Sequence, residues 1–431
     1  MRTVVYAATA FGLVAVVVCV ARALGFVAIS DDDYCRITIA QRFALAPRLD
    51  PSGTSWLPFP FWLLGASFVA FGRTLAVARA AAPIFATLAL APWLHALRRD
   101  RGRGLLALAL ALAVDWVAWT SATPVPEALV GPMIAAPFLA DEDDSPWAYA
   151  PFLWAATLAR YEAWPLALAA AALWLARLGI RAIGPAVAAV SGIVGWLAWN
   201  AFAHGDALHF LARVQRYADA HGHEGARLEA LLVYPRALVG DGRALGALAG
   251  LAVVAALSSR RGAGPRALGP RVFAPRSLAA PVLGALALIA FLELGAWRSG
   301  VPTHHAVRAL LPLAWLAATV AARGLGAIAR RRGVDDLLLG VAAVGLVAAC
   351  GRFAEPPGRG KDDRSEALRL GVAAGAEGAP SLRVASCAFE HFATMATYGA
   401  PERVTVIPQR PGGPCPERLP EEGQAPKPEL R

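Results

Sequence analysis

The sequence predicts an all-α polytopic membrane protein. We expect about eleven transmembrane helices, an external loop after the first helix and a small external C-terminal tail. Of its 431 residues, 57% are hydrophobic and only 17% are charged, whereas an ordinary soluble domain has about 25% charged residues. Apolar runs of roughly 18 or more residues recur along the chain, each long enough to cross a bilayer core of about 30 Å. These runs are continuous rather than alternating, which excludes a membrane β-barrel.

The net charge of +10 is carried almost entirely by arginine. Arginine clusters flank the apolar runs, and basic residues in such positions mark cytoplasmic loops. They therefore predict orientation, and we expect no nucleic-acid partner. The clusters expected in the cytoplasm are 98–103, 177–181, 260–276 and 323–332.

The first helix is predicted at 4–28 and is interpreted as an uncleaved membrane span. Segment 56–72 contains Pro58 and Pro60, and counting it as a crossing would place cluster 98–103 outside. It is therefore predicted to be interfacial or re-entrant, so residues 30–73 form one external loop. The remaining spans are predicted near 74–97, 105–121, 127–140, 147–162, 164–178, 182–203, 243–258, 278–297, 306–323 and 335–352.

The domain division predicted from this topology is a transmembrane domain at 1–352 and an extracytoplasmic tail at 353–431. The tail contains two strand-like pieces, at 382–389 and 403–408. Its two cysteines, Cys387 and Cys415, are able to pair in an oxidising compartment, but their spacing alone does not establish a disulfide.

Three consecutive carboxylates, Asp31, Asp32 and Asp33, follow the first helix. At the C-terminal end of that helix they would face the negative end of its dipole, which is unfavourable. Like charges this close raise the pKa of at least one group, as acid/base sites often require. We therefore interpret them as an acidic centre, the alternative being a solvated helix end.

Further polar residues are predicted on the same external side of the membrane. They are Glu127, Arg160, Glu162, His304, His305 and Arg308. Charged residues at bilayer depth are costly and usually face a cavity or a partner. The set predicts a polar cavity, although the two histidines are also compatible with a solvated pair.

Several of these segments resemble motifs of the GT-C glycosyltransferases. The string SDDDYCRITIAQR at 30–42 is similar to the first external loop of that family, and GTSWL at 53–57 loosely resembles a later segment. The RYE triplet at 160–162 resembles a third motif, with Tyr161 in place of proline, and RALLP at 308–312 resembles a fourth. The resemblance extends over roughly residues 1–325 and does not include the tail.

The resemblance implies a GT-C-like helical bundle that moves a sugar from a polyprenyl-phosphate carrier to an extracytoplasmic acceptor. Such an enzyme would lie in a bacterial inner membrane, with its site facing the periplasm and in contact with membrane lipid. An acidic residue would act as general base or ligate a divalent cation, Mg²⁺ or Mn²⁺. The implied residues are Asp31, Asp32 and Asp33 as catalytic acids, with Asp31 and Asp33 as ligands if a metal is needed; Arg160, Arg308, His304 and His305 as phosphate ligands; and Tyr34, Glu127 and Glu162 in support.

Two other classes fit parts of the sequence. A transporter or lipid flippase would also place charged residues in a helical bundle, but the chain shows no paired interrupted spans from internal repeats. A non-catalytic relative could instead act as a scaffold through its external tail. It would bind lipid-linked sugar without transferring it.

Overall fold

The structure is a computed structural model that describes residues 2–220, 231–261, 275–299, 305–357, 363–386 and 389–408. The chain divides into two compact units. Unit 1 comprises Met1–Phe26, Ser52–Pro60 and Ala82–Pro356, and unit 2 comprises Val27–Pro51, Phe61–Ala81 and Pro357–Arg431. Unit 2 thus joins the tail to segments that the sequence assigned to the transmembrane domain.

The described residues are predominantly helical. The helices are α1 (Arg2–Ala23), α2 (Asp31–Leu45), α3 (Phe59–Phe71), α4 (Leu75–Ala89), α5 (Ala91–Ala96), α6 (Arg101–Leu112), α7 (Asp115–Ser121), α8 (Pro126–Leu139), α9 (Ala150–Thr157), α10 (Ala163–Leu178), α11 (Ile183–His204), α12 (His209–Ala220), α13 (Val233–Val239), α14 (Arg243–Arg261), α15 (Pro275–Ser299), α16 (Ala306–Arg332), α17 (Asp336–Cys350), α18 (Ser365–Ala376) and α19 (His391–Tyr398). The strands are β1 (Leu382–Ser386) and β2 (Val404–Pro408).

Helix α16 forms the centre of unit 1 and packs against α6, α8 and α14. Small residues allow this close approach: a Cβ on Gly324 would lie 2.7 Å from the Cβ of Ala255. Near the start of α16, the buried ring of Trp315 meets the buried ring of Trp93 edge to face, with centroids 5.3 Å apart. A Cβ on Gly131 of α8 would lie 2.5 Å from Nε1 of the same Trp315 ring, so α8 and α16 pack closely within the first three turns of each helix.

Five helical segments among the described residues are long and apolar enough to cross a membrane. They are Val4–Ala23, Leu75–Ala96, Ala163–His204, Leu278–Arg298 and Ala306–Arg330. The segment Ala163–His204 consists of α10 and α11, which pack against each other and correspond to two predicted spans. Two bent helix pairs raise the number of such segments to as many as seven, compared with the larger number predicted from the sequence.

The predicted span at 105–121 is wrong as a continuous helix, because α6 and α7 meet at an angle of 91°. The buried carboxylate of Asp115 accepts backbone hydrogen bonds from Trp116 (2.9 Å) and Arg352 (2.7 Å) at the bend. A side chain that binds backbone N–H groups competes with the regular helical ladder.

The span predicted at 147–162 also differs, since α9 has eight residues and is about 12 Å long.

Segment 56–72 contains the 13-residue helix α3. At a rise of 1.5 Å per residue this helix is about 20 Å long, shorter than a hydrocarbon core of about 30 Å. The length does not distinguish this segment from α8 and α17, which have 14 and 15 residues and were predicted to cross the membrane. Its interfacial placement stays a prediction.

Unit 2 contains a small α/β arrangement. Strands β1 and β2 pair in parallel, with Leu382 opposite Val404 and Ser386 opposite Pro408. Helix α19 connects them in the chain, and it packs against both α18 and α2. The two strands confirm the strand-like pieces predicted in the tail, whereas α18 and α19 were not predicted.

Gln41 on α2 joins three parts of unit 2. Its side-chain amide donates hydrogen bonds to the backbone carbonyls of Arg73 (3.0 Å) and Ala396 (2.9 Å). Gln41 is fully buried, so these bonds replace the water that the amide loses on folding. Segment 30–73 and the C-terminal tail therefore share one packed interior around Gln41.

Candidate functional site

The three carboxylates occupy the first turn of α2. Helix α1 ends at Ala23, and residues 24–30 separate it from α2. The expectation that they lie at the negative end of a helix dipole is therefore wrong: they lie at the positive end, where acidic side chains are favoured. Asp33 is buried and accepts a hydrogen bond at 2.7 Å from the amide of Ile29, the residue before the N-cap, which fixes the chain as it enters the helix.

Asp31 is held by an arginine that the sequence did not single out. Arg364 donates from Nε and Nη2 to the two carboxylate oxygens of Asp31, each at 2.8 Å. Only 14% of the Arg364 side chain and 19% of the Asp31 side chain are exposed. Bidentate pairs of this kind are strong and directional, so Arg364 holds the Asp31 carboxylate in a fixed orientation.

The predicted metal pair does not fit this geometry. Residues two positions apart on a helix point about 200° apart around its axis, and Asp31 and Asp33 bind different partners. Within the described ranges there is no group of three or more His, Cys, Asp or Glu side chains able to hold a metal. Dependence on Mg²⁺ or Mn²⁺ stays a prediction.

Tyr34, predicted in a supporting role, is buried next to Asp33. Burial raises the pKa of its phenol, and the Asp33 charge raises it further. The phenol thus stays protonated at neutral pH. It is able to donate a hydrogen bond but not to act as a base.

A second polar group of unit 2 lies at the end of β1. The hydroxyl of Ser386 donates to Glu390 Oε2 (3.2 Å) and lies 2.8 Å from Nδ1 of His391. Burial lowers the pKa of His391. The sequence does not reveal this group, because three apolar residues separate Ser386 from Glu390 and His391 and the three residues match no motif.

In unit 1, four of the predicted residues form one ion-pair cluster. Arg160 donates Nη1 to Glu127 Oε1 and binds Glu162 through Nε (3.0 Å to Oε2) and Nη2. Arg308 donates Nε to the same Glu127 oxygen at 2.7 Å. The exposed fractions are 1% for the Glu127 side chain and 6% for that of Arg308. This cluster of Glu127, Arg160, Glu162 and Arg308, the arginine–glutamate cluster, is thus removed from bulk water.

Different segments bring the cluster together. Glu127 lies in the first turn of α8, directly after Pro126, and Arg308 lies in the first turn of α16. Arg160 and Glu162 belong to the short turn between α9 and α10. All four sit at or beside helix ends, where side chains can converge without crossing a helix interior.

The turn that carries Arg160 is fixed by hydrogen bonds around Tyr161. The Tyr161 hydroxyl donates to the Ser55 carbonyl (2.8 Å) and accepts from Nε1 of Trp196 (3.3 Å). Its ring stacks on Phe210 with centroids 4.6 Å apart. Tyr161 stands at the position where the similar GT-C motif has a proline. A proline would restrain the turn through its fixed φ angle, whereas Tyr161 restrains it through side-chain contacts.

His305 lies at the N-cap of α16 and has φ = 59°, in the left-handed region. A non-glycine residue costs about 1–2 kcal/mol in this region. Its ring packs against Trp116 with centroids 5.3 Å apart, and its carbonyl accepts the Arg308 amide at 3.0 Å. The turn that orients Arg308 is therefore strained. His304 lies outside the described residues, as do Cys387 and Cys415.

The structure therefore brings the predicted residues together in two sets. Asp31, Asp32, Asp33 and Tyr34 belong to unit 2, and Glu127, Arg160, Glu162, His305 and Arg308 belong to unit 1. Arg364 is the main functional candidate that sequence analysis missed. It lies in the charged run KDDRSE at 361–366, which has the composition of a solvated loop. Its pairing with Asp31 spans 333 positions, so no local signal reveals it.

Two crystal structures of ArnT from Cupriavidus metallidurans share this architecture. The structure of ArnT bound to undecaprenyl phosphate matches with a TM-score of 0.51 and 15% sequence identity, covering 92% of this chain and 90% of that chain. The apo structure matches with a TM-score of 0.55 and 14% identity over the same shares of both chains. The chain has the fold of ArnT. The expected GT-C-like architecture is confirmed as a fold, while no family model and no curated protein matches the sequence.

Proposed function

We propose that the protein is a membrane glycosyltransferase that takes a sugar from a polyprenyl-phosphate carrier and passes it to an acceptor outside the cytoplasm. The observation that carries the proposal is the arginine–glutamate cluster, which presents one buried and one mostly buried guanidinium group in a chain with the fold of ArnT. Undecaprenyl phosphate is bound in one of the ArnT structures. A lipid-linked phosphate is the kind of ligand that such a cluster would recognise.

Arg160 and Arg308 would bind the donor phosphate. A guanidinium group matches two phosphate oxygens with parallel N–H donors and keeps its charge at all physiological pH values. In a water-excluded site these charges stabilise the negative charge that develops on the leaving phosphate. His305, at the start of the helix that carries Arg308, would contribute by fixing the orientation of that arginine, and His304 retains its predicted role as a further phosphate ligand.

The acidic residues of α2 would serve the acceptor. In the transfer step, the acceptor oxygen bonds to the anomeric carbon as the carbon–oxygen bond to phosphate breaks. The electron pair leaves with the polyprenyl phosphate, and the hydroxyl proton passes to a carboxylate. Asp31 and Asp32 are the candidates for this base. Arg364 uses one acceptor position on each oxygen of Asp31, and each carboxylate oxygen has a second position that is able to take the proton.

The cellular placement follows the predicted topology. The resemblance to GT-C enzymes and the fold shared with ArnT support a bacterial inner membrane. The arginine clusters of the loops support an orientation with the candidate residues on the outer face. The acceptor would be an extracytoplasmic lipid, glycan or protein. The C-terminal segment would contribute through Arg364, which binds one of the two candidate bases.

The test uses purified protein in lipid vesicles with a panel of polyprenyl-phosphate sugars. We expect sugar release or transfer by the wild type, and a loss of at least about tenfold in Arg308→Gln, Asp31→Asn or Asp32→Asn. Arg99→Gln is the matched control, because Arg99 is more than half exposed and pairs with loop carboxylates at 141 and 143. Full turnover in all three site variants would contradict the proposal. Binding without turnover favours a scaffold, and movement of the intact lipid between leaflets favours a flippase.

A further inference from the structure

One oxygen of Glu127 is shared by both arginines of the cluster. Oε1 accepts from Arg308 Nε at 2.7 Å and from Nη1 of Arg160. The two donors reach this point from different segments, one on α16 and the other on the turn before α10. The Glu127 oxygen therefore occupies the position at which the two guanidinium groups converge.

Glu162 is bound in a different manner. It faces Arg160 with both oxygens, through Nε at 3.0 Å and through Nη2. The two residues are only two positions apart in the chain, and this fork holds Arg160 from one side. Displacing Glu162 would release donors of one arginine, whereas displacing Glu127 would release a donor of each arginine at the same point.

The charges of the four side chains balance. Two guanidinium groups face two carboxylates, and all of them are mostly removed from water. An entering phosphate adds at least one negative charge to this balanced group, and an uncompensated charge in a water-excluded site is costly. An anion therefore binds more favourably if a carboxylate gives up its place.

We propose that Glu127 is the internal counter-ion of the anion site, and that the phosphate of the lipid-linked donor replaces Glu127 Oε1 between Arg160 and Arg308. This inference rests on the proposed function and deepens it by locating the phosphate oxygen and the group that it displaces. Glu127 keeps the two arginines oriented when no donor is bound. Glu162 stays in place and fixes Arg160 in both states.

The test measures binding of undecaprenyl phosphate to the full-length protein in nanodiscs, with uncharged undecaprenol as the control lipid. Glu127→Gln keeps the size of the side chain and an oxygen for the arginines but removes the charge that competes with phosphate. We expect its affinity for undecaprenyl phosphate to rise about tenfold or more. Glu162→Gln is the matched control, because it changes the net charge by the same amount, and we expect a smaller rise or a loss. Arg308→Gln should weaken binding about tenfold or more.

The outcomes separate the two proposals. If the wild type does not prefer undecaprenyl phosphate over undecaprenol, the proposed function fails and this inference fails with it. If the wild type prefers the phosphate but Glu127→Gln binds it no more tightly than wild type, or no more tightly than Glu162→Gln, the counter-ion role is wrong while the proposed function stands.

Should Glu127→Gln not fold, a structure of the wild type with undecaprenyl phosphate decides. The counter-ion role predicts that Glu127 Oε1 and Arg308 Nε, now 2.7 Å apart, separate beyond hydrogen-bond distance, and an intact pair beside bound phosphate overturns it.

Discussion

Arg364 binds both carboxylate oxygens of Asp31 at 2.8 Å across 333 positions of the chain. The pair lies within unit 2 and is mostly shielded from solvent. It connects the start of α2, where the candidate acids lie, to the residue just before α18. The C-terminal segment is thus part of the structure that orients a candidate catalytic carboxylate.

Removal of Arg364 is expected to destabilise unit 2. Arg364→Ala leaves the Asp31 carboxylate partly buried without its bidentate partner, at a cost of about 1–3 kcal/mol. The start of α2 and α18 should then show faster amide hydrogen exchange by mass spectrometry. If Asp31 is also a catalytic group, turnover in the donor assay falls.

Two further variants separate orientation from charge. Arg364→Lys keeps the charge but not the planar fork, so it should restore stability more fully than turnover. The exchanged pair Asp31→Arg with Arg364→Asp should recover the hydrogen-exchange protection without recovering turnover. Unchanged exchange in Arg364→Ala would show that the pair contributes nothing to unit 2.

Gly399 ends α19 with φ = +79°, and a Cβ there would lie 2.7 Å from the Arg73 carbonyl oxygen. Gly378, two residues after the end of α18, has φ = +65° but no neighbour within 4 Å of such a Cβ. Both Gly→Ala changes incur the left-handed strain of about 1–2 kcal/mol. Only Gly399→Ala adds a steric clash, so we expect a loss of about 2 kcal/mol or more for it. Thermal unfolding of the two variants provides the comparison, and equal losses would contradict the close approach.

The Arg73–Glu402 pair provides a prediction about pH. Despite partial burial, hydrogen bonds from Arg73 at 3.0 and 2.9 Å lower the pKa of Glu402 below its usual 4.5. Because the folded pKa is below the unfolded value, the pair stabilises the fold above pH about 4.5, and this contribution is lost as the pH falls through the folded pKa. Solvent screening limits it to about 0.5–1 kcal/mol.

Glu402→Gln is the variant that tests this pH dependence. It should unfold at a lower temperature than wild type at pH 7. At a pH below the folded pKa of Glu402 the two proteins should unfold at the same temperature. A difference that persists in acid would assign the effect to packing and not to the charge pair.

The helical class was predictable because hydrophobic runs determine it directly. The start of α2 was missed, although Ser30 followed by three acids is a typical helix N-terminal signature. The bend at Asp115 could not be predicted, since it depends on the distant Arg352 amide. Helices α18 and α19 were missed because their apolar faces are short. They are stabilised by packing against each other, and α19 also packs against α2.

The candidate site was predictable in part for a similar reason. Charged residues are costly in an apolar chain, so the presence of Glu127, Arg160, Glu162 and Arg308 was enough to indicate a polar site. The structure brings these four residues into contact. Their pairing scheme was not predictable, because the sharing of one Glu127 oxygen depends on the relative positions of α8 and α16. Arg364 was invisible among other charges, since its significance comes only from a long-range partner.

Cys35, beside the candidate acids, is expected to be chemically inert. Burial, together with the nearby Asp32 charge, raises the pKa of its thiol to about 12. The thiolate is the reactive form, so at pH 8 only about one molecule in ten thousand is reactive. A variant that keeps Cys35 as its sole cysteine should react with maleimide far more slowly in the folded state than after denaturation. Rapid labelling of the folded protein at pH 8 would show that α2 opens readily or that the thiol is activated, and would make Cys35 a candidate nucleophile.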